Sequence, residues 1–235
     1  MKKLLLSAVV LLGFGLAAEA QTLSVDNNEF IALKGESNTL TVNVGNAASV
    51  RDVQFDIVVP AGVTIGTPTA GVSTYSVAIS DAKTVADGNQ YTVILYSADA
   101  ATGASSIDFP LTVADGVTPW ATVSSSTANG KWTNADAAEA AATSTAYTFE
   151  IGLKGDVSKD CAVDFGDISG VLAYIADATT INAFALRVAD TTGDNSIDFG
   201  DISGVLSIIA GGSSSVKAEA DFVEIPADVE VDWAD

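Results

Sequence analysis

Two stretches near the C-terminus place an oxygen-bearing side chain at almost every second residue. They begin at Asp156 and at Asp190, 34 residues apart. Positions 1, 3, 5, 7, 9 and 12 of the two stretches are Asp156, Ser158, Asp160, Ala162, Asp164 and Asp167, and then Asp190, Thr192, Asp194, Ser196, Asp198 and Asp201. At this spacing a twelve-residue loop wraps oxygen donors around one hard cation; position 7 supplies its backbone carbonyl and position 9 often acts through water. We therefore predict that each loop binds one Ca²⁺ ion.

Each loop runs into a repeated helix. The segment Asp164–Leu172 recurs unchanged as Asp198–Leu206. Its apolar residues have helical spacing, namely Ile168, Val171, Leu172 and Ile175, then Ile202, Val205, Leu206 and Ile209. The carboxylate at position 12 should therefore lie near a helix N-terminus, where negative charge is favoured. A single ladder of aspartates could be a solvated acidic turn. Two ladders in register favour calcium, because four converging carboxylates would repel one another without a cation.

The region from Gly155 to Gly211 resembles the type I dockerin domain, which is built from tandem loop-helix calcium repeats. The resemblance covers both repeats and the aspartate at position 12, where an ordinary EF-hand loop has glutamate. It implies a small all-α domain in which two structural calcium ions order two helices into a partner-binding face. It also implies that the aspartates at positions 1, 5, 9 and 12 of each loop are ligands.

The loops depart from the dockerin pattern at positions 3 and 6. Position 3 is usually Asn or Asp, whereas Ser158 and Thr192 are shorter, neutral donors. Position 6 is usually glycine because the turn needs a positive φ, which Asn195 tolerates better than Cys161 does. We therefore predict that the first loop binds calcium more weakly than the second.

Positions 10 and 11, where dockerins commonly carry partner-recognition residues, are Phe165-Gly166 and Phe199-Gly200. Two interpretations of these phenylalanines are open. They could pack between the helices as core, or they could form a two-fold symmetric apolar patch for a protein partner. The resemblance implies that this partner is a cohesin-type domain or another exported protein. The Phe-Gly pairs replace the common Ser-Thr and so depart from clostridial-type recognition.

The residues that precede the loops, 22–153, alternate between apolar and polar side chains. The alternation and the apolar runs are clearest at 40–44, 53–59, 91–96, 107–113 and 147–153. Short strands at this spacing, separated by turn residues, predict an antiparallel β-sandwich. The alanine-rich piece Asn134–Ala142 could instead be a short helix or a polar loop.

The sandwich resembles cohesin-type domains. The resemblance runs from Leu23-Ser-Val-Asp26 to the segment Val53–Ile65, which includes Pro60. These domains share a jelly-roll scaffold with some carbohydrate-binding modules. The implied fold class is a mainly β jelly-roll sandwich followed by a small all-α dockerin. The alternative function is a carbohydrate-binding module attached to a dockerin, with Trp120, Trp132, Tyr75 and Tyr96 as candidate platforms. Taken singly, such aromatic residues are more often core or loop anchors.

The composition narrows the classes of function. Residues 1–20 combine Lys2 and Lys3, an apolar run and a small-x-small end, which is typical of a secretory signal peptide. A formal net charge of −20 disfavours nucleic acid and anionic membrane surfaces. Histidine is absent and Cys161 is the single cysteine, so the commonest general base and an intramolecular disulfide are both excluded. We expect no membrane span and no catalysis.

Together these features predict a non-catalytic, exported calcium-binding protein that mediates protein–protein assembly in a polysaccharide-utilising or cell-surface system. Similar sandwich-plus-dockerin proteins are exported by Bacteroidales, which implies an extracellular, cell-surface or periplasmic location in a Gram-negative bacterium. Head-to-tail self-association and a polysaccharide partner remain open. Residues 213–235 form an acidic tail that is either flexible or docks Phe222, Val223 and Ile225 as an added strand.

Overall fold

The structure is a computed structural model that describes residues 21–45, 50–101, 105–120, 122–125, 127–134 and 139–211. The predicted signal peptide and the C-terminal tail lie outside the described residues. The chain divides into two compact units. Of the described residues, the first unit contains those in 21–117 and 122–150, and the second contains Thr118–Trp120 and 151–211. The short piece Thr118–Trp120 therefore belongs with the aspartate-rich loops rather than with the strands on either side of it in sequence.

The first unit is a mainly β sandwich built from short strands. Its strands are β1 (Thr22–Val25), β2 (Glu29–Leu33), β3 (Asn38–Gly45), β4 (Val50–Val59), β5 (Val63–Ile65), β6 (Thr69–Ala70), β7 (Ser76–Ile79), β8 (Lys83–Val85), β9 (Gly88–Ala101), β10 (Ser105–Val113), β11 (Thr122–Ser125), β12 (Thr127–Asn134), β13 (Glu139–Ala141), β14 (Thr143–Ser144) and β15 (Tyr147–Gly152). One 3-10 turn, Asp26–Asn28, separates β1 from β2.

These strands form three sheets. One six-stranded sheet has the order β14-β1-β3-β10-β5, with β6 also paired to β10. The other has the order β13-β12-β4-β9-β7, with β8 also paired to β9, and a three-stranded sheet has the order β11-β15-β2. The ladders β1–β3, β3–β10, β4–β9 and β4–β12 are antiparallel as predicted, whereas β1 and β14 are parallel.

The period-two pattern of the sequence gives each long strand one buried side. On β4, Val53, Phe55, Ile57 and Val59 have no solvent exposure, and the residues between them are partly or fully exposed. Because strand side chains alternate between the two faces of a sheet, this spacing buries one face of β4. The mainly β class predicted from the alternation is confirmed.

The prediction of a helix or polar loop at Asn134–Ala142 is wrong for the part that the structure describes. Glu139–Ala141 forms β13, which pairs antiparallel with β12 so that Trp132 lies opposite Ala140. Lys131 and Glu139 also form an ion pair across these strands at 2.8 Å. Strand pairing overrides the helix preference of alanine here, because strand preference depends mainly on cross-strand contacts.

The second unit contains α1 (Phe165–Ala176), α2 (Ala183–Val188) and α3 (Phe199–Ile209), with a 3-10 turn at Ala178–Thr180. The helices α1 and α3 agree with the sequence pattern, whereas α2 was not predicted. Val171 and Val205, which are equivalent in the two repeats, are fully buried in one core with Ala185, Ala189 and Ile197. None of the helices in the described residues is long and apolar enough to cross a membrane.

Candidate metal centre in two aspartate-rich loops

The carboxylate of Asp156, at position 1 of the first loop, is fully buried. Its Oδ1 accepts the backbone N–H of Asp160 at 3.2 Å and lies 3.3 Å from the hydroxyl of Ser158. Its Oδ2 accepts the backbone N–H of Cys161 at 3.0 Å. The first half of the loop therefore folds back around this one carboxylate.

The carboxylate of Asp167, at position 12, closes the same loop and is also fully buried. Its Oδ1 accepts the backbone N–H of Ser158 at 2.8 Å, and its Oδ2 accepts the backbone N–H of Asp164 at 2.9 Å. Asp164 is the N-cap of α1 and forms a capping box with Asp167. The predicted position of this carboxylate at a helix N-terminus is confirmed. Ser158 contacts both Asp156 and Asp167, so positions 1 and 12 lie together.

The second loop repeats this arrangement with Thr192 in the place of Ser158. The Thr192 hydroxyl oxygen lies 3.2 Å from Oδ1 of Asp190 and 3.2 Å from Oδ1 of Asp201. Asp190 also accepts the backbone N–H of Asn195 at 2.8 Å, and Asp201 accepts that of Asp198 at 2.8 Å. Both carboxylates are buried. Positions 1 and 12 are therefore brought together in the second loop as well.

The aspartates at position 5 shape the turn that carries position 7. Asp160 accepts the backbone N–H of Ala162 at 3.0 Å, and Asp194 accepts that of Ser196 at 2.8 Å. Aspartate commonly bonds the backbone two residues ahead in this way. The position-5 side chains therefore hold the chain in the turn from which the position-7 carbonyl would bind a cation.

The two loops differ in the strain of their backbones. At position 6 the predicted positive φ is confirmed in both, with 73° for Cys161 and 65° for Asn195. Position 4 is also left-handed, with φ of 62° for Lys159 and 77° for Gly193. A side chain other than glycine or asparagine costs about 1–2 kcal/mol in this region. The first loop carries two such residues and the second carries none.

The donor types in these loops, which are carboxylate, hydroxyl and backbone carbonyl oxygens, are those that a hard cation such as calcium takes. Four carboxylates are buried among neutral N–H and O–H donors, and burying a carboxylate costs several kcal/mol unless its charge is compensated. Within the part of the chain that the structure describes, no group of three or more histidine, cysteine, aspartate or glutamate side chains is gathered closely enough to hold a metal ion. The structure therefore pairs positions 1 and 12, while the carboxylates at positions 5 and 9 lie in turns of their own.

Two helix glycines, which the sequence analysis did not single out, allow each helix to approach the start of its own loop. A Cβ on Gly170 would lie 2.6 Å from Cγ1 of Val157, and one on Gly204 would lie 2.0 Å from Oγ1 of Thr191. Glycine inside a helix is unfavourable by about 1 kcal/mol relative to alanine. Because glycine is unfavourable inside a helix, its presence at the same position of both repeats was the sequence feature that could have indicated close packing there.

Both candidate partner-recognition phenylalanines are exposed. The exposed fraction is 70% for Phe165 and 69% for Phe199, so the interpretation that they pack as core is wrong. Leu172 and Leu206, counted above among the apolar helix residues, are also 43% and 41% exposed. Phenylalanine and leucine lie seven residues apart on each helix and therefore share one side of it. We call these four residues the Phe–Leu faces of α1 and α3.

The glycines at position 11 have a local role in helix capping. Asp164 accepts the backbone N–H of Gly166 at 2.6 Å, and Asp198 accepts that of Gly200 at 2.6 Å. A Cβ at either glycine would lie 3.0 Å from the carboxylate oxygen that caps the helix. This is tighter than an ordinary van der Waals contact, so the glycines permit the cap.

The four candidate carbohydrate platforms do not present a common aromatic surface. Trp132 and Tyr75 are buried, and the Tyr75 hydroxyl donates to the backbone carbonyl of Val50 at 2.8 Å. Trp120 is half-buried in the second unit. Only Tyr96 of these four is exposed, with an exposed fraction of 47%. A row of solvent-facing rings, which a platform needs, is therefore not formed by these residues.

Trp120 is instead a component of the first loop that sequence spacing could not reveal. Its indole Nε1 donates to Oδ2 of Asp156 at 2.6 Å, across 36 residues of sequence. Its ring meets Phe184 edge-on at a centroid distance of 5.9 Å. The Lys159 ammonium lies 5.1 Å from the Trp120 centroid and 4.4 Å from that of Phe184. Of these three side chains, Trp120 contacts the position-1 carboxylate directly.

Comparison with known proteins gives matches to solved structures. The chain is similar to a non-cellulosomal cohesin from the archaeon Archaeoglobus fulgidus, with 18% identity and a TM-score of 0.42 over 56% of this chain and 91% of that one. It is also similar to a cohesin module of a family 33 glycoside hydrolase from Clostridium perfringens, with 10% identity and a TM-score of 0.45 over 57% and 98%. A third match is the major pilin subunit of Bacillus cereus, with 8% identity and a TM-score of 0.40 over 57% and 40%. No family model and no curated protein sequence matches this chain.

Proposed function

We propose that the second unit is a calcium-ordered, dockerin-like module and that the exported protein uses it to bind a protein partner without catalysing a reaction. The observation that carries this proposal is the burial of four carboxylates, at positions 1 and 12 of two equivalent loops. Buried carboxylates that lie in pairs repel each other, and a divalent cation converts that repulsion into attraction.

Calcium would be held by the same set of groups in each loop. Positions 1, 3, 5, 9 and 12 would each contribute a side-chain oxygen, and position 7 would contribute its backbone carbonyl. In order of position (1, 3, 5, 7, 9 and 12), the residues are Asp156, Ser158, Asp160, Ala162, Asp164 and Asp167 in the first loop, and Asp190, Thr192, Asp194, Ser196, Asp198 and Asp201 in the second. The bound ion supplies positive charge that fixes both ends of the loop. Asp164 and Asp198 also cap α1 and α3, so ordering of the loops would order the helices.

The Phe–Leu faces of α1 and α3 support a protein partner. Exposed clusters of large apolar residues mark interaction sites more often than chance, and aromatic residues often dominate binding energy. Gly155–Gly211 contains nine aspartates against two basic residues, Lys159 and Arg187. The partner that suits this surface is a folded domain with an apolar patch bordered by basic side chains. A cohesin-type domain is the partner that we propose.

The proposed role is structural rather than catalytic. The sequence contains no histidine, so the commonest proton-transfer group is missing. The position-12 carboxylates of both loops accept backbone N–H bonds that close the loop and cap the helix, which agrees with a structural role.

Circular dichroism of the full chain in calcium and in excess chelator tests the proposal. We expect the helical signal to fall in chelator and to recover when calcium is restored. Asp167→Asn and Asp201→Asn should each remove part of the recovery, because each disables one loop. Asp177→Asn is the matched control, since this aspartate caps the 3-10 turn outside both loops. Identical spectra and identical thermal unfolding with calcium and with chelator would contradict the proposal.

A further inference from the structure

Trp120 contacts the first loop although it lies far outside that loop in sequence. The chain enters the second unit at Thr118 and leaves it after Trp120. The backbone N–H of Trp120 donates to the carbonyl oxygen of Ile151 at 2.6 Å, and the residue has a left-handed φ of 60°. A bulky residue rarely adopts this φ, and such outliers persist only where the surroundings impose them. The placement of this indole is therefore specified by its contacts.

The indole N–H adds a donor to the carboxylate at position 1. Oδ2 of Asp156 accepts Nε1 of Trp120 at 2.6 Å and the backbone N–H of Cys161 at 3.0 Å. The first of these donors comes from outside the loop and the second from within it. With both in place, the plane of the carboxylate is fixed from two directions. A second donor of this kind orients a metal ligand and typically contributes about ten- to a hundred-fold to metal affinity.

The same tryptophan also contacts the left-handed residue at position 4. The Lys159 ammonium lies over the rings of both Trp120 and Phe184, at 5.1 Å and 4.4 Å from the centroids. Such contacts between a cation and aromatic faces are attractive. The cluster of Trp120, Phe184 and Lys159 therefore holds the loop at one of its two strained backbone positions.

The second loop is arranged differently. Its position 4 is Gly193, which adopts the left-handed conformation without strain and has no side chain to anchor. The hydrogen-bond donors described for Asp190 all come from its own loop: Thr192, Gly193, Asp194 and Asn195. The aromatic cluster thus belongs to one of two otherwise closely similar loops.

We infer that Trp120 is a positioning residue for the first calcium site, and that it makes this site depend on a segment outside the dockerin-like repeats. This inference rests on the proposed calcium function. Trp120 would not coordinate the calcium ion itself; it orients Asp156 through its indole N–H and contacts Lys159 through its ring. The second loop does not share this dependence. A fragment limited to Gly155–Gly211 would accordingly lose affinity at its first loop alone.

Calcium titration of single-loop chains by isothermal calorimetry tests the inference. Asp201→Asn leaves the first loop intact, and Asp167→Asn leaves the second. Trp120→Phe keeps the aromatic ring and removes the N–H donor. We expect it to weaken the first-loop chain by about ten-fold or more and to change the second-loop chain by less than about two-fold. Trp120→Ala should weaken the first loop further, because it also removes the contacts with Lys159 and Phe184.

The possible outcomes separate the inference from the function on which it rests. Unchanged first-loop affinity in Trp120→Phe would overturn the inference and leave the calcium function standing. An equal loss in both single-loop chains would also overturn it, because it would indicate general destabilisation. Failure of both parent single-loop chains to bind calcium would overturn the calcium function itself. A second readout is the emission of Trp120 in a Trp132→Phe, Trp233→Phe chain, which should respond to calcium when the first loop is intact and not when Asp167→Asn disables it.

Discussion

Lys159 and Gly193 occupy the same position in the two loops and share a left-handed backbone, with φ of 62° and 77°. Glycine adopts this conformation freely, whereas lysine does so at a cost. The Lys159 ammonium, however, also lies over the rings of Trp120 and Phe184. The first loop therefore combines a strained position with contacts that offset the strain, and the second needs neither.

This asymmetry predicts unequal effects when the two residues are exchanged. Gly193→Lys should destabilise the second unit by about 1–2 kcal/mol, because it introduces strain without an aromatic partner. Lys159→Gly should change stability by less, since relief of strain is offset by loss of the ring contacts. Chemical denaturation followed by the helical signal measures both. Gly35→Ala, at a left-handed glycine of the first unit, is the control that should leave the stability of the second unit unchanged.

Close packing of α3 against the start of its loop gives a second prediction. Gly204→Ala should destabilise the second unit by about 1–3 kcal/mol, because the new Cβ would meet Thr191. On an unobstructed helix the same change stabilises by about 1 kcal/mol. Denaturation of the calcium-loaded chain measures the effect, with the exposed Ser203→Ala as control. A stabilised Gly204→Ala variant would show that α3 does not pack as described.

The Phe–Leu faces predict a variant that folds normally and fails to bind. Phe165→Ser combined with Phe199→Ser should leave the calcium-dependent helical signal intact, because both side chains are about 70% exposed. Binding of the full chain to a purified cohesin domain in calcium should weaken by about ten-fold or more. Leu186→Ser, at an exposed leucine on α2, should bind as the parent does. Equal binding by the double variant would place recognition elsewhere.

A separate experiment tests whether the Phe–Leu faces mediate self-association. Size-exclusion chromatography of the full chain in calcium should show a larger species than in chelator if a second copy is the partner. The double phenylalanine variant should then elute as a monomer in both. A parent chain that stays monomeric at high concentration would exclude a second copy of this chain as the occupant.

Burial of Tyr75 predicts a dependence of stability on alkaline pH. Burial raises the pKa of the Tyr75 hydroxyl above its ordinary value of 10.0. The folded state therefore holds this proton more tightly than the unfolded state does, and the resulting stability is present below pH 10 and lost as pH rises through the folded-state pKa. Tyr75→Phe should reduce the alkaline loss of stability in the first unit, measured by denaturant unfolding across this range. Tyr96→Phe, at an exposed tyrosine, is the matched substitution against which the effect of Tyr75→Phe is compared.

Local spacing was sufficient to predict the loops and their helices. Aspartates at fixed intervals predicted the two loops, in each of which the structure brings positions 1 and 12 together. The repeated apolar spacing predicted α1 and α3. The pattern could not show which side of these helices is covered, because Leu172 and Leu206 fit a helical stripe but lie on its exposed margin. The spacing of apolar residues indicates which side of a helix they lie on, but it does not show how much of that side is covered by neighbouring residues.

Contacts between distant residues were not accessible from spacing. Asp156 and Trp120 lie 36 residues apart, and nothing in the local sequence of either indicates that they meet. The strand at Glu139–Ala141 was missed for the same reason, since it is specified by pairing with β12. In each case the role of the residue depends on a contact with a residue distant in sequence, and the sequence around it does not predict that role.

The number of calcium ions that the full chain binds is the decisive measurement for the proposed function. Isothermal titration of the full chain should give two bound Ca²⁺ ions, with the first loop weaker than the second. Asp167→Asn and Asp201→Asn should each reduce the count to one, and Asp177→Asn should retain both. Absence of calcium binding by the full chain at about millimolar calcium, or unchanged stoichiometry in both loop variants, would contradict the account.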